Sequence, residues 1–230
     1  MDELVTEHPG ASADVHVDRG APIERIPLDE TSWVDVGRSW LAGADELFEA
    51  LHDGVAWRAS RLFRYDHWVE ERRLGASWRS GTPLPHPALA EAHRTLQHRY
   101  RATFNGFSML HYRDGRDGQA FHRDTDLRWL DETVIAVLSL GVRRPWLLRP
   151  RTGRHDLSET RGAVCDLAPG PGDLLVMGGR CQADWEHSVA YQPGRHLAPR
   201  ISIQWRWTAR RGKPFVGASY RAPRFYGRGG

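Results

Sequence analysis

Residues 133–140 have the sequence TVIAVLSL, an apolar stretch rich in β-branched residues that predicts a buried strand. Shorter segments of similar character follow it, and clusters of glycine and proline separate them. These further predicted strands are Pro145–Leu148, Ala163–Leu167, Asp173–Met177 and Arg200–Trp207. Many short strands with turn signals between them predict a β-sandwich or a β-barrel.

The sequence before residue 104 has a helical pattern instead. Ala44–His52 (ADELFEALH) predicts a short amphipathic helix, and Pro87–Tyr100 (PALAEAHRTLQHRY) predicts a longer one with proline in its first turn. Residues 57–80 carry aromatic residues and arginines without a clear period. Helices followed by strands predict an α+β protein that is mainly β, with an N-terminal helical flank.

Length and composition exclude several classes of protein. A chain of 230 residues is long enough for one domain with its own core. It has no run of eighteen apolar residues that would span a membrane, and its N-terminus lacks the pattern of a secretory signal. The two cysteines, Cys165 and Cys181, make neither a disulfide framework nor a zinc motif. We therefore expect a cytoplasmic protein.

The charge is unevenly distributed along the chain. Residues 1–20 hold five acids and one base, for a net charge of −4, whereas the whole chain carries +3. Lys213 is the only lysine, so nearly all the basic residues are arginines. This bias is compatible with a phosphate-binding surface, because guanidinium groups match phosphate oxygens, and equally with biased codon usage.

The motif His122-Arg123-Asp124 is a candidate for metal binding. Side chains at i and i+2 of an extended segment point the same way, so the imidazole and the carboxylate converge. A third ligand has to come from another strand, and His187, which follows Asp173–Met177, is the candidate. Two histidines and one carboxylate leave positions open on a metal, as is typical of non-haem Fe(II) oxygenases. The alternative is a chance motif and a structural histidine, since the chain has twelve histidines.

The predicted strand at Arg200–Trp207 alternates polar and apolar residues. One face carries Arg200, Ser202, Gln204 and Arg206, and the other carries Ile201, Ile203 and Trp205. Two inward arginines are costly unless they pair with anions, and a dicarboxylate co-substrate would satisfy both. The alternative is an outward polar face with ordinary surface arginines.

Five motifs follow one another along residues 104–208. They are Tyr112-Arg-Asp-Gly-Arg-Asp…His122-Arg-Asp124, Val134-Ile-Ala-Val-Leu-Ser-Leu-Gly141, Pro-Gly-Asp173-Leu-Leu-Val-Met, Trp185-x-His187 and Pro199-Arg200-x5-Arg206. In this order they resemble the AlkB family of Fe(II)/2-oxoglutarate-dependent dioxygenases. The match is weaker over residues 30–103, where that family places its variable substrate-binding lid.

The resemblance implies a double-stranded β-helix (jelly roll) that performs oxidative dealkylation of N-alkylated bases in DNA or RNA with dioxygen. The iron ligands that it implies are His122, Asp124 and His187. The residues that it implies for 2-oxoglutarate are Tyr112 and Arg200 at the carboxylate far from the metal, Arg206 at the near one, and Gln204 beside them. Asp126 occupies the position of an acidic residue that contacts the target base.

The expected organisation follows from these segments. Residues 1–22 are polar and predict a flexible tail, and residues 23–103 form the helical flank and lid. Residues 104–210 form the jelly-roll core, and residues 211–230 form a basic C-terminal tail, all in one globular domain. Oligomeric state has no signal in the sequence.

Two positions depart from the family pattern. The family usually has Asn-x-Tyr where this chain has Leu110-His111-Tyr112, and its asparagine contacts 2-oxoglutarate. Leucine cannot donate that hydrogen bond, and His111 would point to the opposite face of a regular strand. The lost bond is worth about 1 kcal/mol, which predicts weaker co-substrate binding. The second departure is Gln204, where the family often has a small hydroxyl residue.

A base in a duplex has to be flipped out to reach a buried iron, and it then needs stacking partners. Tyr65 and Trp78 are candidates for stacking, and Arg73 is a candidate for gripping a phosphate. The alternative for these aromatic residues is packing in the core. Two alternatives for function also stay open: the same oxygenase chemistry on a small molecule, lipid or protein, and a non-catalytic binding module on a jelly-roll frame.

Overall fold

The computed structural model of the protein describes residues 14–64, 67–124, 127–151, 164–216 and 224–226. Before residue 104 the strands are β1 (His16–Val17), β2 (Ile23–Pro27), β3 (Ser32–Gly37), β4 (Leu41–Ala42), β5 (Arg58–Arg64) and β6 (His67–Arg79). After it they are β7 (Gly106–Tyr112), β8 (Gln119–His122), β9 (Thr133–Gly141), β10 (Trp146–Pro150), β11 (Cys165–Asp166), β12 (Leu174–Gly179), β13 (Trp185–Val189), β14 (Arg200–Thr208) and β15 (Arg224–Tyr226). The helices are α1 (Ala44–Gly54), α2 (Ala88–Tyr100) and α3 (Cys181–Asp184).

Two facing sheets form the body of the protein. The main sheet has nine strands in the order β15-β5-β6-β7-β14-β9-β12-β3-β2, and the small sheet has four in the order β11-β10-β13-β8. All pairings between these strands are antiparallel. The expected mainly-β jelly roll is confirmed, and each of the five strands predicted after residue 132 is present.

The central strands β9, β12 and β14 of the main sheet are buried on both faces, and successive side chains of a strand point to opposite sides. On one face Ile201, Ile203 and Trp205 of β14 pack with Leu47 and Leu96 of the two long helices. We call this the helix side. On the other face Ile135, Val137 and Tyr112 pack with Trp146 and Leu148 of the small sheet. We call this the site side, since the candidate metal ligands lie there.

The two helices that the sequence predicts are both present and differ from the predicted ranges by at most two residues at either end. Each turns its leucines towards the helix-side core, as its apolar periodicity requires. α2 ends at Arg101, which has a left-handed φ of 50°. Within the described residues, none of the helices is long and apolar enough to span a membrane.

The region before residue 104 differs from the expected helical flank, because β5 and β6 form an antiparallel pair that extends the main sheet beside β7. The register of this pairing shifts by two residues of β6, because Ala59 lies opposite Leu74 whereas Ser60 lies opposite Glu71.

The expected N-terminal tail also ends earlier than residue 22, since β1 pairs with β4 and Val17 is buried. Residues 1–13 lie outside the described part of the chain. Within the expected C-terminal tail, β15 pairs with β5.

Candidate metal centre

The small sheet brings the three candidate metal ligands together. β8 and β13 pair so that His122 lies directly opposite His187, and Asp124 follows two residues after β8 ends. Nε2 of His122 lies 3.6 Å from Oδ1 of Asp124, and Nε2 of His187 lies 3.9 Å from the same oxygen. Ligand atoms that share one ion at bond lengths of about 2.1 Å are at most about 4.2 Å apart, so both distances suit a common metal.

Electrostatics hold the ligands in the protonation states that metals require. Burial by itself raises the pKa of the Asp124 carboxyl, but the nearby charge of Arg206 outweighs it, so the pKa lies well below its usual range. Burial, together with the nearby His122, lowers the pKa of His187 to about 3. At neutral pH the site therefore offers one carboxylate and a neutral imidazole from His187.

Hydrogen bonds from neighbouring residues orient these ligands. Nδ1 of His122 lies 2.9 Å from the carbonyl oxygen of Ala120, a contact that places the proton on Nδ1 and leaves the Nε2 lone pair towards the site. The backbone N–H of Asp124 donates to Oε1 of the buried Gln182 at 2.7 Å. The Trp146 ring stacks on His187 with a centroid distance of 5.4 Å.

Gln119 adds a polar group that the sequence did not reveal as part of the site. Its carboxamide Nε2 lies 2.6 Å from Nε2 of His122. The amide N–H is therefore directed at the lone pair that a metal ion would use. Metal binding through this nitrogen requires the Gln119 side chain to turn aside.

Arg206 connects the metal ligands to the main sheet. Its Nε donates to Oδ2 of Asp124 at 2.7 Å and its Nη1 donates to Oγ of Ser108 at 2.7 Å. Its Nη2 donates to Oε1 of Gln204. Gln204 thus lies on the site side, next to the arginine that the sequence assigned to the near carboxylate, with its amide nitrogen still available as a donor.

Arg200 is fully buried on the site side and only partly satisfied. Its Nη2 donates to Oγ of Ser139 at 2.8 Å, whereas its Nε and Nη1 have no hydrogen-bond partner in the described structure. Burial lowers its pKa to about 10, so the group is still charged at neutral pH. Its guanidinium carbon lies 5.6 Å from the centre of the Tyr112 ring. A buried cation with two free donors fits a carboxylate ligand.

The Leu110-His111-Tyr112 segment has the orientation expected of a regular strand. Leu110 and Tyr112 contact the site-side core. His111 points to the helix side, where its ring lies 5.0 Å from His52 and 5.0 Å from Trp57, and neither of its nitrogens has a partner. His111 therefore cannot replace the asparagine that the family usually has at position 110.

Of the four residues predicted to bind the substrate, the structure describes Trp78 and Arg73, and each contacts other residues of the fold. Trp78 stacks on Phe107 at 5.3 Å in the helix-side core, so the expectation that it stacks on a target base is wrong for this geometry. Arg73 is buried and its Nη2 donates to Oε1 of Glu71 at 2.8 Å, so it is not a free cation for phosphate. Tyr65 and Asp126 lie outside the described residues.

Comparison with known proteins agrees with this geometry. A sequence-family model described as the 2OG-Fe(II) oxygenase superfamily matches residues 48–206. The chain belongs to this superfamily. The match includes the three candidate ligands and both arginines of β14. It confirms the expectation of a 2-oxoglutarate-dependent dioxygenase, and 2OG-Fe(II) oxygenases use iron, 2-oxoglutarate and dioxygen.

Curated relatives of this 2OG-Fe(II) oxygenase confirm the resemblance to the AlkB family. Human "DNA oxidative demethylase ALKBH2" is 29% identical over 180 residues, which cover 72% of this chain and 69% of that protein. Bovine "Alpha-ketoglutarate-dependent dioxygenase alkB homolog 3" is 27% identical over 179 residues, which cover 72% of this chain and 62% of that protein. The chain thus spans somewhat less than two thirds of the second relative.

Solved structures similar to this oxygenase are more distant. A 2OG-Fe(II) oxygenase family oxidoreductase from Burkholderia pseudomallei has a TM-score of 0.46 and 14% identity, over 73% of this chain and 79% of that one. A prolyl hydroxylase from Trichoplax adhaerens, in complex with a hypoxia inducible factor peptide, has a TM-score of 0.43 and 14% identity, over 60% of this chain and 63% of that one.

Proposed function

We propose that this protein is an oxygenase that removes alkyl groups from N-alkylated bases of DNA or RNA. The observation that carries the proposal is the combination of the His122–Asp124–His187 cluster with the free donors of Arg200 on the same side of the main sheet. A metal cluster alone fits many reactions. A metal cluster beside a buried, unsatisfied cation fits a metal that works with a dicarboxylate.

In this proposal Fe(II) is held by His122, Asp124 and His187. Arg200 takes the far carboxylate of 2-oxoglutarate with the help of Tyr112, and Arg206 takes the near one. Arg206 already donates to Asp124, so it fixes the metal-binding carboxylate and the co-substrate together. The buried, stacked environment of His187 keeps water away from the reacting atoms.

When bound, Fe(II) with 2-oxoglutarate and dioxygen would supply the oxidation of the alkyl carbon attached to the base nitrogen, with succinate, carbon dioxide, an aldehyde and the restored base as products. The protein contributes binding, orientation and a dry pocket.

A nucleic-acid partner is supported by the names of the relatives and by basic residues next to the metal cluster. Arg128, four residues after Asp124, and Arg210 are both exposed and lie against the Trp129 ring, at 5.3 Å and 5.9 Å. Arg123 lies over the Phe215 ring at 5.4 Å. Guanidinium groups held on aromatic rings are suited to phosphate contacts.

The test is aldehyde and succinate release from oligonucleotides that carry single N-methylated or etheno-bridged bases. His187→Ala should lose both products while its thermal unfolding stays cooperative. The double variant Arg128→Gln, Arg210→Gln should raise KM for the oligonucleotide. With a single-stranded oligonucleotide, the slope of log affinity against log salt concentration should become shallower by about 1.4. Iron-dependent succinate formation without aldehyde from any oligonucleotide would refute the nucleic-acid substrate and assign the chemistry to another molecule. No iron-dependent succinate at all would refute the oxygenase itself.

The cytoplasmic location stays a prediction from the sequence.

A further inference from the structure

A cleft of about 710 Å³ opens on the helix side of the main sheet. One wall is the C-terminal half of α2, and the other is the chain around β1 and β2. The residues that line it are Asp18, Arg19, Ala21, Ile23, Trp40, Arg94, Thr95, His98, Arg99 and Arg101. Sequence patterns gave no sign of this cleft, because its two walls are some 75 residues apart in the chain and meet through the packing of α2 on β1.

The cleft is strongly cationic. Four arginines line it against a single acid, Asp18, which accepts a hydrogen bond from the backbone of Gly20 at 2.8 Å. Arg19 has one acidic partner, Glu91 of α2, whose Oε1 lies 3.5 Å from Nη2 of Arg19. Among the described residues, no carboxylate forms an ion pair with Arg94, Arg99 or Arg101. Like charges held close together repel one another, so this arrangement favours an anionic ligand.

The floor of the cleft is apolar. Trp40, Ala21 and Ile23 belong to or pack against the helix-side core. Arg94 projects from α2, and Arg101 directly follows the helix, about 10 Å further along its axis. The cations therefore surround an apolar base, and the volume is in the range of sites that enclose small organic molecules, far more than a lone inorganic anion needs.

Basic residues at the C-terminal end of a helix have an ordinary structural explanation, since they favour the negative end of its dipole. That explanation covers His98 and Arg99 in the last turn. It does not account for Arg94 in the middle of α2 or for Arg19 on the opposite wall. It also leaves open why Arg101 occupies a left-handed position that glycine adopts without strain.

We infer that this cleft binds a phosphate ester of nucleotide size, with the phosphate among Arg94, Arg99 and Arg101 and the organic part on the apolar floor. The cleft and the candidate metal centre lie on opposite faces of the main sheet, so this is a second site whose occupancy does not depend on the iron chemistry. Two sources share the chemistry: a free nucleotide, and a nucleotide within a nucleic-acid strand.

The experiment measures the binding of ADP and of a short unmodified DNA strand to the full chain, in buffer with a chelator so that no divalent ion bridges phosphate to the metal centre. The test variant is Arg94→Gln with Arg101→Gln, both at exposed side chains. Arg116→Gln with Arg195→Gln removes the same charge elsewhere on the surface and is the matched control. Arg101→Gly is a second variant, which removes the charge and relieves the left-handed backbone position.

Loss of two charge-assisted contacts should weaken binding by about tenfold or more in the test variant. The control should stay within about twofold of the unchanged chain, since its arginines do not line the cleft. Binding of ADP that is lost in the test variant assigns a free nucleotide. Binding of the DNA strand but not of ADP assigns a nucleic acid, provided that the slope of log affinity against log salt concentration is shallower by about 1.4 in the test variant. No binding of either probe, or equal losses in test and control variants, overturns the inference. Succinate formation from 2-oxoglutarate should be unchanged in all variants, which separates this result from any failure of the oxygenase proposal.

Discussion

Two arginines are fully buried beside Tyr112, and replacing each with methionine should have opposite effects. The guanidinium carbons of Arg200 and Arg144 both lie 5.6 Å from the Tyr112 ring centre. Arg144 donates to three carbonyl oxygens, at 3.0, 2.7 and 3.0 Å, whereas Arg200 donates only to Ser139. Arg144→Met therefore removes a structural cross-link, and Arg200→Met removes a cation that lacks partners until a ligand is bound.

The magnitudes follow from these contacts. Burial lowers the pKa of Arg200 from 12.5 to about 10, which corresponds to about 3 kcal/mol against the charged folded form. Losing the bond to Ser139 costs about 1 kcal/mol, so Arg200→Met should stabilise the ligand-free protein by about 2 kcal/mol, or roughly 4–8 °C in Tm. For 2-oxoglutarate it removes two charge-assisted hydrogen bonds, worth about 3–6 kcal/mol together, or about 10²–10⁴-fold in Kd. Arg144→Met loses three charge-assisted hydrogen bonds and leaves three carbonyl oxygens without a donor, so it should destabilise by about 4 kcal/mol or more.

The assay is thermal unfolding of each variant with Mn(II), in the presence and absence of 2-oxoglutarate, because Mn(II) fills the site without turnover. Arg200→Met should unfold at a higher temperature than the unchanged protein when free, and should gain nothing from 2-oxoglutarate. Arg144→Met should unfold at a lower temperature but keep its gain from 2-oxoglutarate. The assignment of Arg200 to the co-substrate would be refuted if 2-oxoglutarate still raised the unfolding temperature of Arg200→Met, or if only Arg144→Met lost that increase.

Three further changes test other parts of the site. Gln119→Leu removes the amide that competes for the His122 lone pair, so Mn(II) affinity by calorimetry should rise by about fivefold, and a fall would mean that the amide assists metal binding. Leu110→Asn should tighten 2-oxoglutarate severalfold, and an unchanged Kd would show that the amide of Gln204 already supplies the bond. Burial lowers the pKa of His111 to about 4, below its unfolded value near 6.5. The free energy of unfolding should therefore fall as the pH decreases from 6.5 towards 4, by up to about 1.4 kcal/mol per pH unit. His111→Leu should flatten this pH dependence, and an equally steep profile in the variant would assign the dependence to other groups.

Much of the site was predictable because strands impose a period of two. That period alone placed Arg200 and Arg206 on one face of β14 and put His111 opposite to Tyr112, and the structure has this arrangement. The His-x-Asp spacing works in the same way at the end of β8. The link to His187 needed more than local pattern, because its pairing with β8 spans some 65 residues.

Other parts of the site depend on contacts that local sequence patterns do not contain. Gln182 holds the Asp124 backbone from α3, and Ser108 meets Arg206 from the neighbouring strand β7. Neither residue type is rare, and neither lies near its partner in the chain. The pair of strands β5 and β6 was missed for a different reason: arginines and aromatic residues are mixed along residues 57–80 without a clear period, so the alternation by which strands are recognised is absent from the sequence.

The division of the main sheet into two sides explains how the fold supports an unsatisfied cation. Ile201, Ile203 and Trp205 are fully buried on the helix side, and they alternate along β14 with the residues of the site side. Burying each of these side chains stabilises the fold by about 2–3 kcal/mol, which is comparable with the cost of one unpaired Arg200. A strand anchored on one face can therefore hold charged groups in fixed positions on the other. We therefore expect Ile203→Ala, on the helix side, to lower the free energy of unfolding more than it lowers the affinity for 2-oxoglutarate. Arg200→Met should instead lower the affinity for 2-oxoglutarate without lowering the free energy of unfolding.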